Sequence, residues 1–334
     1  MVTQVGRPWS AQIELTEGCT RLCGYCGLNA IREGKGDYKR MTIALAELVA
    51  SQMAELNPEA RLEFAMHGEP TVNPDGPAII ARFRAAMPKA QIMLTTNGAT
   101  FMDPKTVSTR VAKWFGHGVD FIVCDTYYPE RDELQASLRS IDPKVCSVKD
   151  FYADLAPTGW NPYHNHHGKT GRLLVIMDDI GARDREHSSR TLLNHAGSNP
   201  MMDVPAEPLK KTCTNPFREV TVTWNGEVRI CCMSWLPEYV CGVVSHKRSL
   251  SSIWYGEEFE LARKMLQNKN RDFAPCRYCN KDSGSRSGLL PKYSPLTEAD
   301  IARAQEIGKP RMAERIATGA PMSDALKRRL KVIP

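Results

Sequence analysis

The chain has 334 residues, 42% of them hydrophobic and 25% charged, with a net charge of +6; this is the balance of a globular protein long enough for one large domain and a smaller one. No run approaches the ~20 apolar residues of a membrane-spanning helix, residues 1–15 lack the apolar centre and cleavage site of a signal peptide, and the charge is too mild to demand an acidic partner such as nucleic acid. A cytoplasmic location is expected, and eleven cysteines are many for that reducing compartment, where clustered cysteines bind metal or do chemistry more often than they form disulfides.

Residues 11–15 (AQIEL) read as a short strand that feeds a cysteine loop. Residues 43–56 have helical spacing, with Thr42 as N-cap and Asn57-Pro58 as the stop. A strand at 61–66 runs into His67-Gly68-Glu69-Pro70, and a helix at 78–87 follows. A strand at 91–95 ends in Thr96-Asn97-Gly98, with a helix at 105–115 behind it. A strand at 119–125 ends in Asp125-Thr126, a helix occupies 130–140, and another strand occupies 172–177. This alternation predicts βαβ units and a parallel sheet, whose working residues sit in loops beyond the C-terminal strand ends. Past residue 200 the pattern changes. Residues 219–224 and 227–230 flank Asn225-Gly226, which predicts a hairpin closed by a two-residue type I′ turn. A helix at 257–266 and the Cys276–Cys279 loop complete a second, smaller module. The expected divisions are 1–200, 201–288 and a basic helical tail at 289–334.

The first cysteine loop reads Cys19-Thr-Arg-Leu-Cys23-Gly-Tyr-Cys26. Three thiolates on one tight loop hold three irons of a [4Fe–4S] cluster and leave the fourth iron open to a cofactor or substrate. Zinc usually takes four ligands in paired spacings, and no further Cys or His lies close to this loop. The loop resembles that of the radical S-adenosylmethionine (SAM) superfamily, with Tyr25 in the slot for an aromatic residue before the last cysteine. The resemblance implies a [4Fe–4S] cluster on Cys19, Cys23 and Cys26, SAM on its open iron, and reductive cleavage to a 5′-deoxyadenosyl radical that abstracts hydrogen from substrate. It also implies an electron donor such as a flavodoxin or ferredoxin with its reductase. His67-Gly68-Glu69-Pro70 is similar to the family's GGEP segment, with His67 in place of the first glycine, so Gly68, Glu69 and Pro70 are expected beside SAM's amino group. Thr96 and Asn97 match the TNG segment near the ribose. Asp125, after the fourth strand, is a candidate for SAM or substrate contact, the only catalytic candidate, and equally reads as a solvated strand-end residue.

Twelve residues separate Cys213 from Gly226 and four more precede Cys231, with Cys276 and Cys279 downstream. Four thiolates arriving from two directions can enclose a second [4Fe–4S] cluster, and a four-cysteine zinc ribbon would use the same pattern. The spacing resembles the auxiliary SPASM and twitch modules of radical SAM enzymes. Since no cysteine follows Cys279, one auxiliary cluster on Cys213, Cys231, Cys276 and Cys279 is expected, with Cys232 or Cys241 as substitute ligands for Cys231. The fold implied is α/β, a partial (β/α)6 TIM-like barrel followed by a small α+β module. The function implied is SAM-dependent radical oxidation, crosslinking or rearrangement of a peptide or protein side chain, a nucleotide or a small metabolite. The rival reading is a non-catalytic iron–sulfur or zinc protein whose basic tail binds nucleic acid or protein. Cys124 and Cys146 read as buried hydrophobes. His164, His166 and His167 read as an exposed loop, and Arg183, Arg185, Arg190 and His187 as a solvated face. Tyr127, Tyr128, Trp160 and Trp235 either line the barrel mouth or pack.

Overall fold

A computed structural model describes residues 5–30, 36–162, 171–177, 193–199, 202–281 and 290–309. The described strands, in chain order, are β1 (Ser10–Ile13), β2 (Thr16–Glu17), β3 (Lys39–Arg40), β4 (Arg61–Phe64), β5 (Ile92–Thr96), β6 (Phe121–Asp125), β7 (Ser147–Asp150), β8 (Leu173–Met177), β9 (Glu219–Val222), β10 (Glu227–Arg229) and β11 (Val240–Val243). Nine of them form one sheet in the order β11-β10-β9-β1-β4-β5-β6-β8-β7. Pairing is parallel from β9 through to β7, and β10 and β11 are antiparallel additions at the edge. β2 and β3 form a separate ribbon flanking the cysteine loop. The chain thus has the largely parallel α/β sheet expected of a partial barrel. β8 inserts between β6 and β7, although β7 precedes it in the chain.

Helices α1 (Ile43–Leu56), α2 (Gly76–Ala86), α3 (Val107–Gly116) and α4 (Arg131–Arg139) connect the strands. Thr42 caps α1 by accepting from the Leu45 amide at 3.2 Å. Side chains alternate across a strand, which divides the sheet into two faces. Ala11, Ile13, Leu62, Phe64, Ile92, Leu94, Ile122, Cys124, Ile176, Val220 and Val222 face the helices and share their core with Val49, Met53, Ile80 and Phe83. On the opposite, inner face, β5, β6 and β8 contribute Met93, Phe121, Val123, Val175 and Met177, packed against Trp160. β9, β1 and β4 instead turn Glu219, Thr221, Gln12, Arg61 and Glu63 to that inner face. A parallel sheet is ordinarily apolar on both sides, so its polar half stands out.

The hairpin departs from its expected form. Of Asn225 and Gly226 only Gly226 takes a positive φ, +83°, whereas a type I′ turn needs both. The Gly226 amide donates to Thr223 O and the Thr223 amide to Glu227 O, each at 2.9 Å, which makes a three-residue loop with a left-handed glycine. This loop is braced by β1's continuation, where the Glu14 carboxylate accepts from the Trp224 amide at 3.1 Å. β9 also pairs directly with β1, so the second module extends the first module's sheet.

The helices Leu250–Trp254 and Glu257–Gln267 cover this extension. Arg263 is fully buried there, donating to Pro216 O at 2.8 Å and Trp254 O at 2.7 Å beneath the Trp254 ring at 4.2 Å. The tail begins with the helix Glu298–Ile307, closed by a Thr297–Asp300 capping box. It docks through Lys264–Asp300 at 2.7 Å and the Lys309 amide on Glu238 O at 2.9 Å. Residues 310–334, the His164–His167 cluster and Arg183–Arg190 lie outside the described residues.

Arg263→Ala leaves two buried carbonyls without donors, at about 1–3 kcal/mol each. Urea unfolding of this variant is expected to show a loss of about 3 kcal/mol; an unchanged midpoint would contradict the role assigned to the guanidinium.

Candidate active site

The cysteine loop, the HGEP turn and the TTNG turn meet at the C-terminal ends of β1, β4 and β5. Gly18 and Gly68 pair backbone to backbone, and the Glu69 amide donates to Gly18 O at 2.9 Å. A Cβ on Gly68 would sit 2.1 Å from Thr16 O and 2.5 Å from Gly18 O, so this approach requires glycine. The Glu69 side chain, 2% exposed, accepts from the Thr71 amide and hydroxyl at 3.0 and 2.5 Å, the Thr96 hydroxyl at 2.6 Å and the Asn97 amide at 2.7 Å. Burial raises its pKa against the pull of these donors. Asn97 then reaches the cysteine loop, its Nδ2 donating to Cys19 Sγ and Thr20 Oγ1, each at 3.1 Å. The Glu69 carboxylate and the Thr96 hydroxyl hold these loops together.

The loop's other flank is fixed by Arg21, which donates to Glu130 at 3.0 Å and Tyr128 O at 2.7 Å and lies 5.1 Å from the Tyr127 ring. The Tyr127 hydroxyl donates to Asp125 at 3.4 Å. Burial, then Asp125 and then Tyr25, raise the Tyr127 pKa well above its ordinary value, so Tyr25, Asp125 and Tyr127 share one wall with Cys19 and Cys23. Tyr128 is 49% exposed and Trp160 packs in the inner core.

The second cysteine set is separate from the first. Burial, followed by Cys213, Cys279 and Cys231, raises the Cys276 pKa well above its usual range; Cys279, pushed to about 11 mainly by burial, has Cys231 and Cys213 as neighbours. Cys241 is fully buried among Arg263, Glu258 and Arg248. Cys232 is buried as well and hydrogen-bonds to Cys231, whose thiol this bond draws down to about 7. Amides two residues downstream point at one sulfur in the first set and two in the second: Arg21 N at Cys19, Met233 N at Cys231 and Lys281 N at Cys279, each at 3.4 Å. Asn215 Nδ2 adds a bond to Cys231 at 3.2 Å. All-sulfur donor sets with N–H donors on the sulfurs fit iron–sulfur clusters, whose potential such bonds tune. Among the described residues no three His, Cys, Asp or Glu side chains converge as for a single metal ion.

A segment that sequence reasoning missed joins the two sets. Asn194 and Asn280 exchange reciprocal amide-to-side-chain bonds at 3.0 and 3.1 Å, and Asn194 Nδ2 donates to Tyr278 O at 2.7 Å. A Cβ on Gly27, just past Cys26, would lie 2.5 Å from Ser198 Oγ and 3.1 Å from Trp235. His195 and Ala196 both have positive φ, 45° and 52°, strain that clusters at functional sites. The Trp235 ring lies between His195 at 4.6 Å and His67 at 5.0 Å. His67, fully buried, pairs with Glu14 at 2.9 Å. Burial, then His67, then Lys281, lower the His195 pKa to about 4. His67 is thus a tie between the HGEP turn and the second module. Glu14, Glu63, Glu219 and Lys281 were also missed. The signal available for the first three was charge placed on otherwise apolar parallel strands.

Residues 13–135 match the radical SAM superfamily model and residues 213–280 match the SPASM iron–sulfur cluster-binding domain model. No curated protein matches. Among solved structures, BtrN in complex with AdoMet and 2-DOIA aligns over 84% of this chain and 97% of its own at 20% identity, with a TM-score of 0.60. Selenomethionine BtrN in an open conformation aligns over 82% and 92% at 18% identity, with a TM-score of 0.54. At these identities the likeness is one of fold.

Two outcomes are expected. Glu69→Gln puts an amide N–H against donors that now point at a carboxylate oxygen, and should lower stability by about 2–3 kcal/mol and reduce iron uptake on reconstitution; unfolding and iron assays check it. Burial, offset by Arg61 and reinforced by Glu219, raises the Glu63 pKa to about 7 from 4.5, with Lys281 also facing it. Glu63 therefore contributes stability fully below pH 4.5 and loses it as pH rises through 7. The stability advantage of Glu63→Gln over the parent should grow by up to about 3 kcal/mol between pH 4.5 and 8; a pH-independent difference in urea unfolding would refute this.

Proposed function

Since this chain is a radical SAM protein with a SPASM-type iron–sulfur module, we propose that it cleaves SAM reductively on Cys19, Cys23 and Cys26 and uses the product to modify a small substrate. The family's cofactors are SAM, a [4Fe–4S] cluster and auxiliary iron–sulfur; for the last we propose one cluster on Cys213, Cys231, Cys276 and Cys279. Bound together, SAM and its cluster supply a hydrogen-abstracting radical. The observation that carries the reading is the junction of three loops, in which Glu69 and Asn97 brace Cys19 while the three cysteines stay partly exposed.

The chain's own groups have separable tasks. Gly68 permits the close approach of the HGEP turn, and Asn97 Nδ2 donates to a ligand sulfur. Tyr25, Asp125 and Tyr127 form the wall on which SAM or substrate is oriented. Met233 N, Lys281 N and Asn215 Nδ2 stabilise thiolate charge at the second set. Trp235 and the Asn194–Asn199 segment seal the space between the sets and exclude water from it. An external one-electron donor is required, and residues 1–200 with 201–288 are proposed as core and auxiliary modules. No described helix is long and apolar enough to cross a membrane.

Anaerobic reconstitution should yield roughly eight irons per chain, and reduction with SAM should release 5′-deoxyadenosine. Cys23→Ala should lose release and about half the iron. Cys279→Ala should keep release while losing the other half. Bound zinc without SAM cleavage would overturn the proposal.

A further inference from the structure

Resting on that reading, we propose that Arg271 is the positioning residue of the auxiliary cluster: its guanidinium fixes the segments that carry the ligands, and its charge raises the cluster's potential. The first ground is what the guanidinium holds. Arg271 is 2% exposed. Its Nε donates to Lys211 O at 3.0 Å, its Nη1 to Lys281 O at 2.9 Å and its Nη2 to Thr212 O at 3.3 Å. Lys211 and Thr212 lead directly into Cys213, and Lys281 lies just past Cys279, whose sulfur its amide faces at 3.4 Å. Arg271 also opens the turn that carries Cys276: its carbonyl accepts from the Phe273 amide at 2.8 Å, and the Phe273 carbonyl from the Arg277 amide at 2.9 Å. One residue thus ties the segments of Cys213, Cys276 and Cys279 together. The remaining proposed ligand, Cys231, is reached from the Cys213 segment through Asn215 Nδ2 at 3.2 Å.

The second ground is charge. Among the described residues the buried arginines are Arg61, Arg229, Arg263 and Arg271. The first three each have a carboxylate partner, Glu63 at 3.1 Å, Glu227 at 3.4 Å and Glu260 at 2.5 Å. Arg271 forms no salt bridge among the described residues, and its hydrogen bonds all end on backbone carbonyls. Neutral amides can tie such carbonyls equally well, as Asn194 Nδ2 does at Tyr278 O and Asp203 O, 2.7 and 3.2 Å away. What an arginine adds is a permanent charge, which burial makes costly unless an opposite charge is near. Arg271 acts electrostatically on Cys276 and Cys279, and cysteines that ligate iron do so as thiolates. A fixed cation beside a cluster favours its more negative, reduced state, and net charge is among the factors that set cluster potentials.

The test uses the full chain, reconstituted anaerobically, with EPR-monitored redox titration and iron retention against a ferrous chelator as readouts. SAM should alter the signal of the first cluster and leave that of the second, which tells them apart. Arg271→Gln, which keeps amide donors and loses the charge, should lower the second cluster's midpoint potential and weaken its iron retention roughly 10-fold or more. Arg271→Lys, which keeps the charge and loses the planar fork, should titrate at the parent midpoint while retention stays weak. Both variants should keep the first cluster and substrate-free 5′-deoxyadenosine release. An unchanged midpoint or unchanged retention in Arg271→Gln overturns the inference, as does a lowered midpoint in Arg271→Lys. Should Arg271→Gln load no second cluster, Arg271→Lys decides alone: the parent midpoint upholds the inference, and a lowered midpoint or an empty site overturns it. Loss of both clusters from either variant makes Arg271 a residue of general folding and likewise overturns it. A parent with no SAM-insensitive cluster refutes the two-cluster reading itself, and the inference falls with it.

Discussion

The buried Glu69 carboxylate is the constraint from which the rest of the site follows. Its four donors come from two turns, and its own amide is anchored on Gly18 at the mouth of the cysteine loop. Ionising a carboxyl in that position is expensive in isolation, and only dense hydrogen bonding offsets it. The return is geometric. Asn97, whose amide Glu69 holds, is aimed at Cys19, so the TTNG turn reaches a cysteine sulfur through a rigid bridge. A flexible loop of small and polar residues could not otherwise keep three thiolates in register with strand ends two neighbours away.

A second bridge works between the modules. β9 is hydrogen-bonded to β1 along its full length, which sets the auxiliary hairpin at a fixed distance from the first cysteine loop. Glu14 sits at the exit of β1 and binds both the Trp224 amide and His67. Trp235 then stacks between His67 and His195, while Asn194 locks onto the loop bearing Cys276 and Cys279. The substitution of histidine for the first glycine of the HGEP segment thus has a structural partner on each side.

The fold was legible where signals were local. Thr42, Asn57 and the apolar spacing between them define α1 to the residue, and each of β4, β5 and β6 lies within a residue or two of its expected bounds. The first cysteine loop was legible because Cys19, Cys23 and Cys26 lie close together in the chain, whereas Cys213, Cys231, Cys276 and Cys279 were grouped by their resemblance to auxiliary-cluster modules. What escaped were relations between distant segments. Nothing local in EVTV tells that β9 will pair with β1 as well as with its hairpin partner β10, nor that β8 will insert between β6 and β7. Asn225-Gly226 suggested a two-residue turn because its sequence suits one, but the loop has three residues, and its first, Trp224, donates its amide to Glu14, more than two hundred residues away. His195 and Lys281 were invisible for the same reason, since their significance is a position in space and no motif carries it.

The pairing of β9 with β1 also explains why the inner face is divided. A sheet ending at β1 would expose Gln12 and Glu14 at an edge, where water would satisfy them and their polarity would carry no meaning. Adding β9 buries that edge and gives it new partners, as the Gln12 amide donates to Glu219 at 3.3 Å and the Glu14 carboxylate accepts from the Trp224 amide at 3.1 Å. Apolar residues at these positions would have made a more stable sheet, as they do on β5, β6 and β8. The retained polarity therefore ties β9 to β1 through a side-chain contact, Gln12 to Glu219, as well as through the backbone ladder.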